Sequence, residues 1–335
     1  MKVVVVGLVH DHCWNEMDKA VKTPGLKLVA VADRNRPQLK TAKGKYGWLN
    51  TYADWRTMVR RENPDIAIIM MTNATTHPVV EELAKRGIHM ISEKPMSARL
   101  WQADRMLKAA KKHGVKLLVN WPTAWNPALH EAKRQIAKGA IGQVFMAKAR
   151  GGHKGPKEIG CSPYFWKWLY DAKLNGAGSL ADYAGYGANM FRFVLGKQPV
   201  SVSAIARRLT KKYYVPDDNS VVTLEYPKAL GVIETTWSAV ASPPAPSPLF
   251  YGTGGALGVV WGEVHIWRPG KEMEVIKPRA LPKGKRNAAE YMAWAIRNRK
   301  PITGPCDPKV SRDAQEVIEG AILSSAGGRR IRLPL

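Results

Sequence analysis

The chain has 335 residues, of which 45% are apolar and 24% are charged, and this composition is typical of a globular protein of about two domains. Its longest apolar runs, 3–6 and 66–71, are far shorter than the roughly 20 residues that cross a bilayer, so no membrane span is expected. No secretory signal precedes them, and three scattered cysteines disfavour a disulfide framework or a zinc site. We therefore expect a cytoplasmic protein.

The formal net charge of +25 raises the question of nucleic-acid binding. The excess is spread along the chain, because residues 1–120 carry 21 basic against 11 acidic residues and the remainder carries 31 against 16. No helix-turn-helix, zinc-finger or RNA-binding signature accompanies it. Nucleic acid is therefore disfavoured as the partner, and an anionic substrate explains the charge at least as well.

The first 120 residues alternate between short apolar runs and helical patterns. The predicted strands are 2–7, 26–32, 65–71, 88–92 and 115–120, and the predicted helices are 11–21, 36–46, 54–61, 76–86 and 99–113. Wholly apolar strands are typical of a parallel sheet that helices cover on both faces. The pattern predicts an N-terminal doubly wound α/β domain over 1–120.

Residues 121–335 have a different pattern, with closely spaced strands and few helices between them. The predicted strands are 142–150, 200–207, 220–226, 230–237, 249–252, 258–261 and 263–267, a loop covers 242–248, and helices cover 127–138, 183–195, 287–298 and 308–325. This pattern predicts an α+β domain with a large, mostly antiparallel open sheet, and the helix 308–325 is a candidate to pack back on the N-terminal domain. An open sheet face needs cover, so we expect a homodimer or homotetramer formed through it.

The first strand ends in a variant of the dinucleotide-binding fingerprint G-x-G-x-x-G. Gly7 keeps the first glycine, but Val9 and His12 stand at the second and third positions, with His10 between them. A metal pair would need further ligands, and none is expected. Instead, imidazole donors from His10 or His12 are expected to bind a diphosphate together with the helix N-terminus. His10→Ala is then expected to weaken NAD binding.

Other polar residues follow the strands at the same sheet edge, where ligands bind in this architecture. Asp33 stands about 20 residues after the turn, where a carboxylate accepts hydrogen bonds from the adenosine ribose of NAD, whereas neighbouring Arg34 leaves NADP open. The further candidates for cofactor contact are Thr72, Asn73, His77, Glu93, Lys94 and Asn120.

The tripeptide Glu93-Lys94-Pro95 resembles the signature of the Gfo/Idh/MocA oxidoreductase family. The blocks "THPVVEELAKRGIHMISEKPMS", "NPALHEAKRQIAKGAIGQVFMAKA", "GAGSLADYAGYGANMFRFVLGKQPVSV" and "DAQEVIEGAILSSAGGRRIRL" are similar to further parts of that family, in the same order. The resemblance implies a Rossmann domain with NAD or NADP, and a substrate that is a sugar, a sugar derivative or a polyol.

The resemblance also implies a catalytic set of Lys94, Asp182 and Tyr186, with Tyr186 where many members have histidine. Spacings of four and seven place Asp182, Tyr186 and Asn189 on one helix face. An ammonium beside the tyrosine would stabilise its phenolate as a base for the substrate hydroxyl, and whether Tyr186 or Lys94 is the base stays open.

Four residues are candidates for substrate contact: Trp121 and Trp125 as an apolar platform, His153 in a loop before the catalytic helix, and Asn189. Packing is the alternative explanation for each aromatic. Two other functions stay open, which are NAD-dependent glycoside cleavage by transient oxidation and elimination, and a non-catalytic sensor on the same fold.

Overall fold

The computed structural model describes residues 1–241 and 245–335, so part of the predicted loop 242–248 lies outside the described residues. Its N-terminal half is a parallel sheet of six strands in the order β3-β2-β1-β4-β5-β6. The strands are β1 Lys2–Val6, β2 Lys27–Ala32, β3 Asn50–Tyr52, β4 Ile66–Ile69, β5 His89–Glu93 and β6 Leu117–Asn120. The helices are α1 Cys13–Lys22, α2 Arg36–Lys45, α3 Trp55–Glu62, α4 Thr76–Lys85 and α5 Leu100–Lys112.

The predicted doubly wound domain is confirmed, because every predicted strand pairs in parallel with its neighbours. Val3 to Val6 are fully buried, as expected of a strand covered on both faces. The order of the strands reverses between β1 and β4. A groove for ligands is expected at that point.

The second half contains a nine-stranded sheet in the order β14-β13-β12-β11-β7-β10-β9-β8-β15. Its strands are β7 Val144–Gly152, β8 Ser201–Arg207, β9 Asn219–Tyr226, β10 Ala229–Thr236, β11 Leu249–Gly252, β12 Gly255–Val260, β13 Glu263–Trp267, β14 Glu274–Ile276 and β15 Ile331–Arg332. Among the described strands of this second sheet, only the β7–β10 pair is parallel, so the predicted mostly antiparallel sheet is confirmed.

The described residues of the second half contain six α-helices. They are α6 Pro127–Ala137, α7 Pro163–Leu169, α8 Ala172–Asn175, α9 Gly185–Leu195, α10 Ala288–Arg297 and α11 Pro308–Gly327. Helix α11 packs on α5 as well as on α9, and Arg99 Nε donates to both carboxylate oxygens of Glu319 at 3.0 Å. The C-terminal helix therefore joins the two halves of the chain.

The predicted helix 183–195 begins differently from the expectation. Residues Leu180–Ala184 form a π turn that leads into α9. A π turn closes i→i+5 bonds and rotates the residues after it relative to an α-helical register. The spacing of Asp182, Tyr186 and Asn189 therefore spans a segment that is not regular α-helix.

None of the helices in the described part of the chain is long and apolar enough to cross a bilayer.

Candidate active site

A buried ion pair lies where the two halves of the chain meet. Lys94, directly after β5, places its Nζ 2.6 Å from Oδ1 of Asp182 in the π turn. Both side chains are at least nine-tenths buried. Burial alone would lower the pKa of Lys94, but the charge and hydrogen bond of Asp182 together with the two neighbouring tyrosines outweigh burial, and the pKa is raised. For Asp182, burial is outweighed by the charge of Lys94 and the hydrogen bonds from Lys94 and Trp237, which together lower its pKa, so both groups are charged at neutral pH.

Asp182 is fixed from a second direction by a residue that the sequence reasoning missed. The indole Nε1 of Trp237, which is fully buried, donates to Asp182 Oδ2 at 3.1 Å. The sequence offered one signal for this role, because Trp237 ends the predicted strand 230–237 and should therefore lie at an edge of the sheet. With both carboxylate oxygens bonded, Asp182 holds the Lys94 ammonium at a set position.

The start of the helical segment that carries Asp182 is held by another missed residue, Asp217. Its carboxylate accepts hydrogen bonds from the backbone N of Gly178 at 2.7 Å and of Leu180 at 2.8 Å, and from Ser179 Oγ at 2.8 Å. These bonds satisfy donors that a helix N-terminus otherwise leaves unpaired. Asp217 thus positions the turn that carries Asp182.

Two tyrosines pack beside the ion pair. The Tyr183 and Tyr186 rings stack at 5.6 Å with an interplanar angle of 24°. Lys94 Nζ lies 4.7 Å from the Tyr186 ring centroid and 5.8 Å from that of Tyr183, as in a cation–π contact. Burial raises the pKa of Tyr186 and Lys94 offsets this only in part, so its hydroxyl is protonated at rest. Tyr183, adjacent to Asp182 in the sequence, is a third missed residue.

Of the four predicted substrate residues, His153 and Trp121 both contact this cluster, and the Trp121 ring meets that of Tyr186 edge-on at 5.4 Å. The His153 ring meets Tyr183 edge-on at 5.5 Å, and its Nδ1 accepts a hydrogen bond from Gly155 N at 2.9 Å. Burial lowers the pKa of His153, so the ring is neutral and carries its proton on Nε2. That N–H is a donor of the kind that binds a substrate oxygen.

The other three candidates donate hydrogen bonds within the protein. Trp121 is fully buried and donates to Ser311 Oγ at 3.1 Å. Asn189 is also fully buried, and its side-chain nitrogen donates to the Pro305 carbonyl at 2.9 Å. Both side chains therefore have partners within the protein, and their roles in substrate contact stay predictions. Trp125 is half-buried and donates to Asn120 Oδ1 at 2.9 Å.

A groove of about 450 Å³ runs along the carboxyl ends of β1, β2 and β4. Its lining includes the predicted residues Gly7, Val9, Asp33, Arg34 and Thr72. The Asp33 carboxylate accepts hydrogen bonds from Leu8 N at 2.5 Å and from the backbone and side-chain nitrogens of Asn35. One lone pair of its Oδ2 remains for a ribose hydroxyl.

Gly7 makes the tight turn that the fingerprint requires. Its φ is +85°, and an added Cβ would lie 2.7 Å from Met71 Sδ and 2.8 Å from the Met70 carbonyl oxygen. The close approach of Gly7 to Met70 and Met71, and the exposed Arg34 at the groove edge, fit the adenosine half of a dinucleotide. The residues present therefore fit NAD.

Residues from the second half of the chain pack over the turn that follows β1. Val9 packs in an apolar cluster with Phe165 and Trp168, and Trp168 Nε1 donates to the Val9 carbonyl at 3.1 Å. Asp11 accepts from Ser162 N at 2.7 Å and from Ser162 Oγ at 2.5 Å. We call residues 161–170 the aromatic cap. Val9, in place of a glycine, supplies apolar surface to it.

His10 and His12 meet Glu93 below this cap. His10 is buried 4.3 Å from the Phe165 ring, and burial lowers its pKa, whereas His12 is partly exposed and places Nδ1 3.2 Å from Glu93 Oε2. Burial opposes ionisation of His12, but the charge of Glu93 raises its pKa. His12 is thus the better placed imidazole for a diphosphate, and the roles of both stay predictions.

His10, His12 and Glu93 each offer one potential metal-ligand atom, and these three atoms lie within 4.8 Å of one another, a separation that a metal ion could bridge. However, His10 Nδ1 accepts a hydrogen bond from His12 N at 3.2 Å, so the neutral ring carries its proton on Nε2, the atom 3.9 Å from Glu93. A metal there would need the Nε2 lone pair. The arrangement favours hydrogen bonding, and the expected lack of a metal stays a prediction.

The remaining predicted cofactor residues divide into two groups. Asn120 donates to Glu93 Oε1 at 2.9 Å and so belongs to the histidine cluster. Asn73 is buried and donates to Asn175 Oδ1 at 2.8 Å, which connects the two halves of the chain. His77 packs edge-on against Trp101 at 4.8 Å. Asn73 and His77 therefore have structural partners that the sequence did not reveal.

Two family models match the chain. Residues 1–121 match the oxidoreductase family with an NAD-binding Rossmann fold, Gfo/Idh/MocA, and residues 129–258 match its C-terminal domain. The family thus assigns NAD to the N-terminal domain.

Curated relatives share parts of the chain. D-Xylose 1-dehydrogenase [NADP(+)] of Haloarcula marismortui is 27% identical over 53% of this chain and 49% of its own length. Myo-inositol 2-dehydrogenase of Thermotoga maritima is 24% identical over 72% and 70%, and D-apiose dehydrogenase of Paraburkholderia graminis is 30% identical over 42% and 36%. The chain thus spans about half or less of the xylose and apiose enzymes.

Solved structures match the whole fold. Levoglucosan dehydrogenase in complex with NADH and levoglucosan has a TM-score of 0.82 at 18% identity, with 100% of both chains covered. An oxidoreductase from Agrobacterium radiobacter in complex with NAD+, L-tartaric acid and magnesium has a TM-score of 0.82 at 19% identity, covering 99% and 98%. At these identities the likeness concerns the fold. Together with the two family models, it shows that the chain belongs to the Gfo/Idh/MocA oxidoreductase family.

Proposed function

We propose that the protein is an NAD(P)-dependent oxidoreductase that interconverts a secondary alcohol and a carbonyl group of a sugar, a sugar derivative or a polyol. The observation that carries this proposal is the buried Lys94–Asp182 pair beside Tyr186, next to a groove that fits a dinucleotide. The names of the relatives, which are dehydrogenases of xylose, inositol and levoglucosan, support the substrate class.

NAD when bound supplies the hydride acceptor or donor. In the reducing direction, the charged Lys94 and the protonated Tyr186 are the groups that would polarise a carbonyl oxygen and give it a proton. In the oxidising direction, Tyr186 would first release its own proton to solvent, and Lys94 would stabilise the resulting phenolate, which then takes the proton of the substrate hydroxyl. Asp182 positions the ammonium, and His153 Nε2–H is offered to a further hydroxyl.

Asp33 supports NAD over NADP, because its carboxylate would repel a 2′-phosphate. Exposed Arg34 at the same groove would attract that phosphate. A titration with both cofactors decides between them, and we expect tighter binding of NAD.

The division into residues 1–120 and 121–335, and a homodimer or homotetramer through the nine-stranded sheet, are part of the same proposal. Exposed apolar side chains on that sheet support an oligomer, since Ile205 is 64% exposed and Leu230 is 52% exposed. Sedimentation at micromolar concentration tests it, and a monomer would count against it.

The decisive experiment is a screen of sugars, inositols and glycosides with NAD and NADP. A dehydrogenase accumulates reduced cofactor, which is read by absorbance, while redox-assisted glycoside cleavage releases the aglycone without net reduction. A sensor without activity would give neither signal.

A further inference from the structure

A second cavity of about 520 Å³ lies between α6, the C-terminal half of α9, and the segment before α10. It is lined by Trp125, His130, Lys133, Arg192, Lys285 and Tyr291, among others, and we call it the basic cavity. None of the Lys94, Asp182 and Tyr186 side chains lines it. It is therefore separate from the proposed active site.

The cations of the basic cavity are poorly neutralised. Arg192 Nε bonds Asp313 Oδ2 at 2.8 Å, and that carboxylate is shared with Lys309 at 3.2 Å. Within residues 1–241 and 245–335, no carboxylate lies within 4.0 Å of the ammonium of Lys133 or Lys285. The cavity thus keeps an excess of positive charge.

Aromatic rings hold these ammonium groups. Lys133 Nζ lies 4.0 Å from the Phe193 ring centroid, and Lys285 Nζ lies 4.2 Å from that of Trp294 and 5.5 Å from that of Tyr291. These contacts favour particular positions of otherwise flexible side chains. Both lysines are half-buried, so part of their hydration is already lost. An anion entering the cavity would meet partly desolvated charges, which bind more strongly than exposed ones.

The rest of the lining is mostly apolar and includes Ala124, Phe193, Pro305 and Val310. A hydrated inorganic ion would leave that surface without a partner. An occupant with an apolar body would cover it, while its charged end reached the lysines.

From these observations we infer that the basic cavity binds a small organic anion that carries one carboxylate or phosphate group on an apolar ring. The oxyanion accepts hydrogen bonds from Lys133, Lys285 and the free nitrogens of Arg192, and the ring packs near Trp125 and Tyr291. This ligand is distinct from the proposed neutral sugar or polyol substrate. Binding of this anion would also give a role to three of the basic residues that make up the excess positive charge, which are Lys133, Lys285 and Arg192.

The test uses the whole 335-residue chain and isothermal titration with two probes, phenyl phosphate and benzoate, and with neutral benzyl alcohol for comparison. We expect one anion to bind per chain, with the stronger of the two probes identifying the preferred oxyanion, and no binding of benzyl alcohol. Lys133→Met and Lys285→Met keep the side-chain stem and remove the charge. Each should weaken binding about tenfold or more, because a charged hydrogen bond is lost.

Lys138→Met is the matched control, since Lys138 caps the same helix as Lys133 and is exposed outside the cavity. It removes an equal charge and should leave the affinity within about twofold, as expected of an exposed charge. Circular dichroism verifies that each variant is folded. Absence of binding for both anions, an affinity in the two cavity variants equal to that of the parent protein, or an equal loss in Lys138→Met would overturn the inference.

Discussion

The ammonium of Lys94 and the carboxylate of Asp182 are 2.6 Å apart and buried, although the two residues come from different halves of the chain. Their contact aligns the end of the parallel sheet with the π turn at the start of α9. Two consequences can be measured, one for turnover and one for stability.

Lys94→Ala should lower turnover by at least about 100-fold, since proton transfer and polarisation of the substrate oxygen would both be lost. Affinity for NADH, measured by fluorescence titration, should stay close to that of the parent protein. Turnover that survives the substitution would show that Lys94 is not the group that acts on the substrate.

For stability, Lys94→Met leaves Asp182 charged, buried and unpaired, and we expect the free energy of unfolding to fall by about 3–5 kcal/mol. The double variant with Asp182→Asn should lose less than the sum of the two single variants, because the asparagine oxygen can still accept from Trp237. Urea unfolding measures all three. Lys45→Met, which breaks the exposed Lys45–Asp18 pair, is the control and should cost no more than about 1 kcal/mol. Additive losses would argue against coupling within the buried pair.

Gly7→Ala tests the phosphate turn. The substitution places a Cβ against Met71 Sδ and the Met70 carbonyl, and it also requires a positive φ. Gly87→Ala is a matched control, because Gly87 has a φ of +73° but open space around the added Cβ. We expect about 1–2 kcal/mol of destabilisation in the control from the backbone alone. Thermal unfolding should show a larger loss for Gly7→Ala, and equal losses would mean that the contact relaxes.

The pH dependence of His12 follows from its neighbour. Because the charge of Glu93 raises the pKa of His12, the folded protein holds a proton that the unfolded chain releases earlier. This contribution to stability is fully present below pH 6.5, the unfolded value, and is lost as the pH rises through the folded-state pKa. Glu93→Gln should lower the pKa of His12 and remove that dependence.

Nuclear magnetic resonance titration of the imidazole protons measures this effect directly. Glutamine keeps an oxygen for Asn120, so the variant removes mainly the charge. An unchanged His12 titration curve in Glu93→Gln would assign the raised pKa to another group.

The parallel sheet was predictable because its strands are wholly apolar and each is followed by a helical pattern, as β1 and α1 illustrate. Lys94 and Asp182 were predictable through short motifs that the family shares. The π turn over Leu180–Ala184 was not predicted, because residue spacing alone does not distinguish an α turn from a π turn. The Trp237–Asp182 and Asn73–Asn175 bonds join residues 55 and 102 positions apart, and no local pattern reports such partners.

The packing of α11 on α5 has a consequence for protein engineering. Leu100 N donates to Glu319 Oε2 at 3.1 Å, and Arg312 Nε donates to Asp104 Oδ1 at 2.7 Å, so the N-terminal half is completed by residues from the far end of the chain. A chimera that exchanges the cofactor domain by joining two genes at position 120 would separate these partners. The exchangeable unit is discontinuous, and a graft that keeps substrate and cofactor halves matched must transfer α11 together with the first 120 residues.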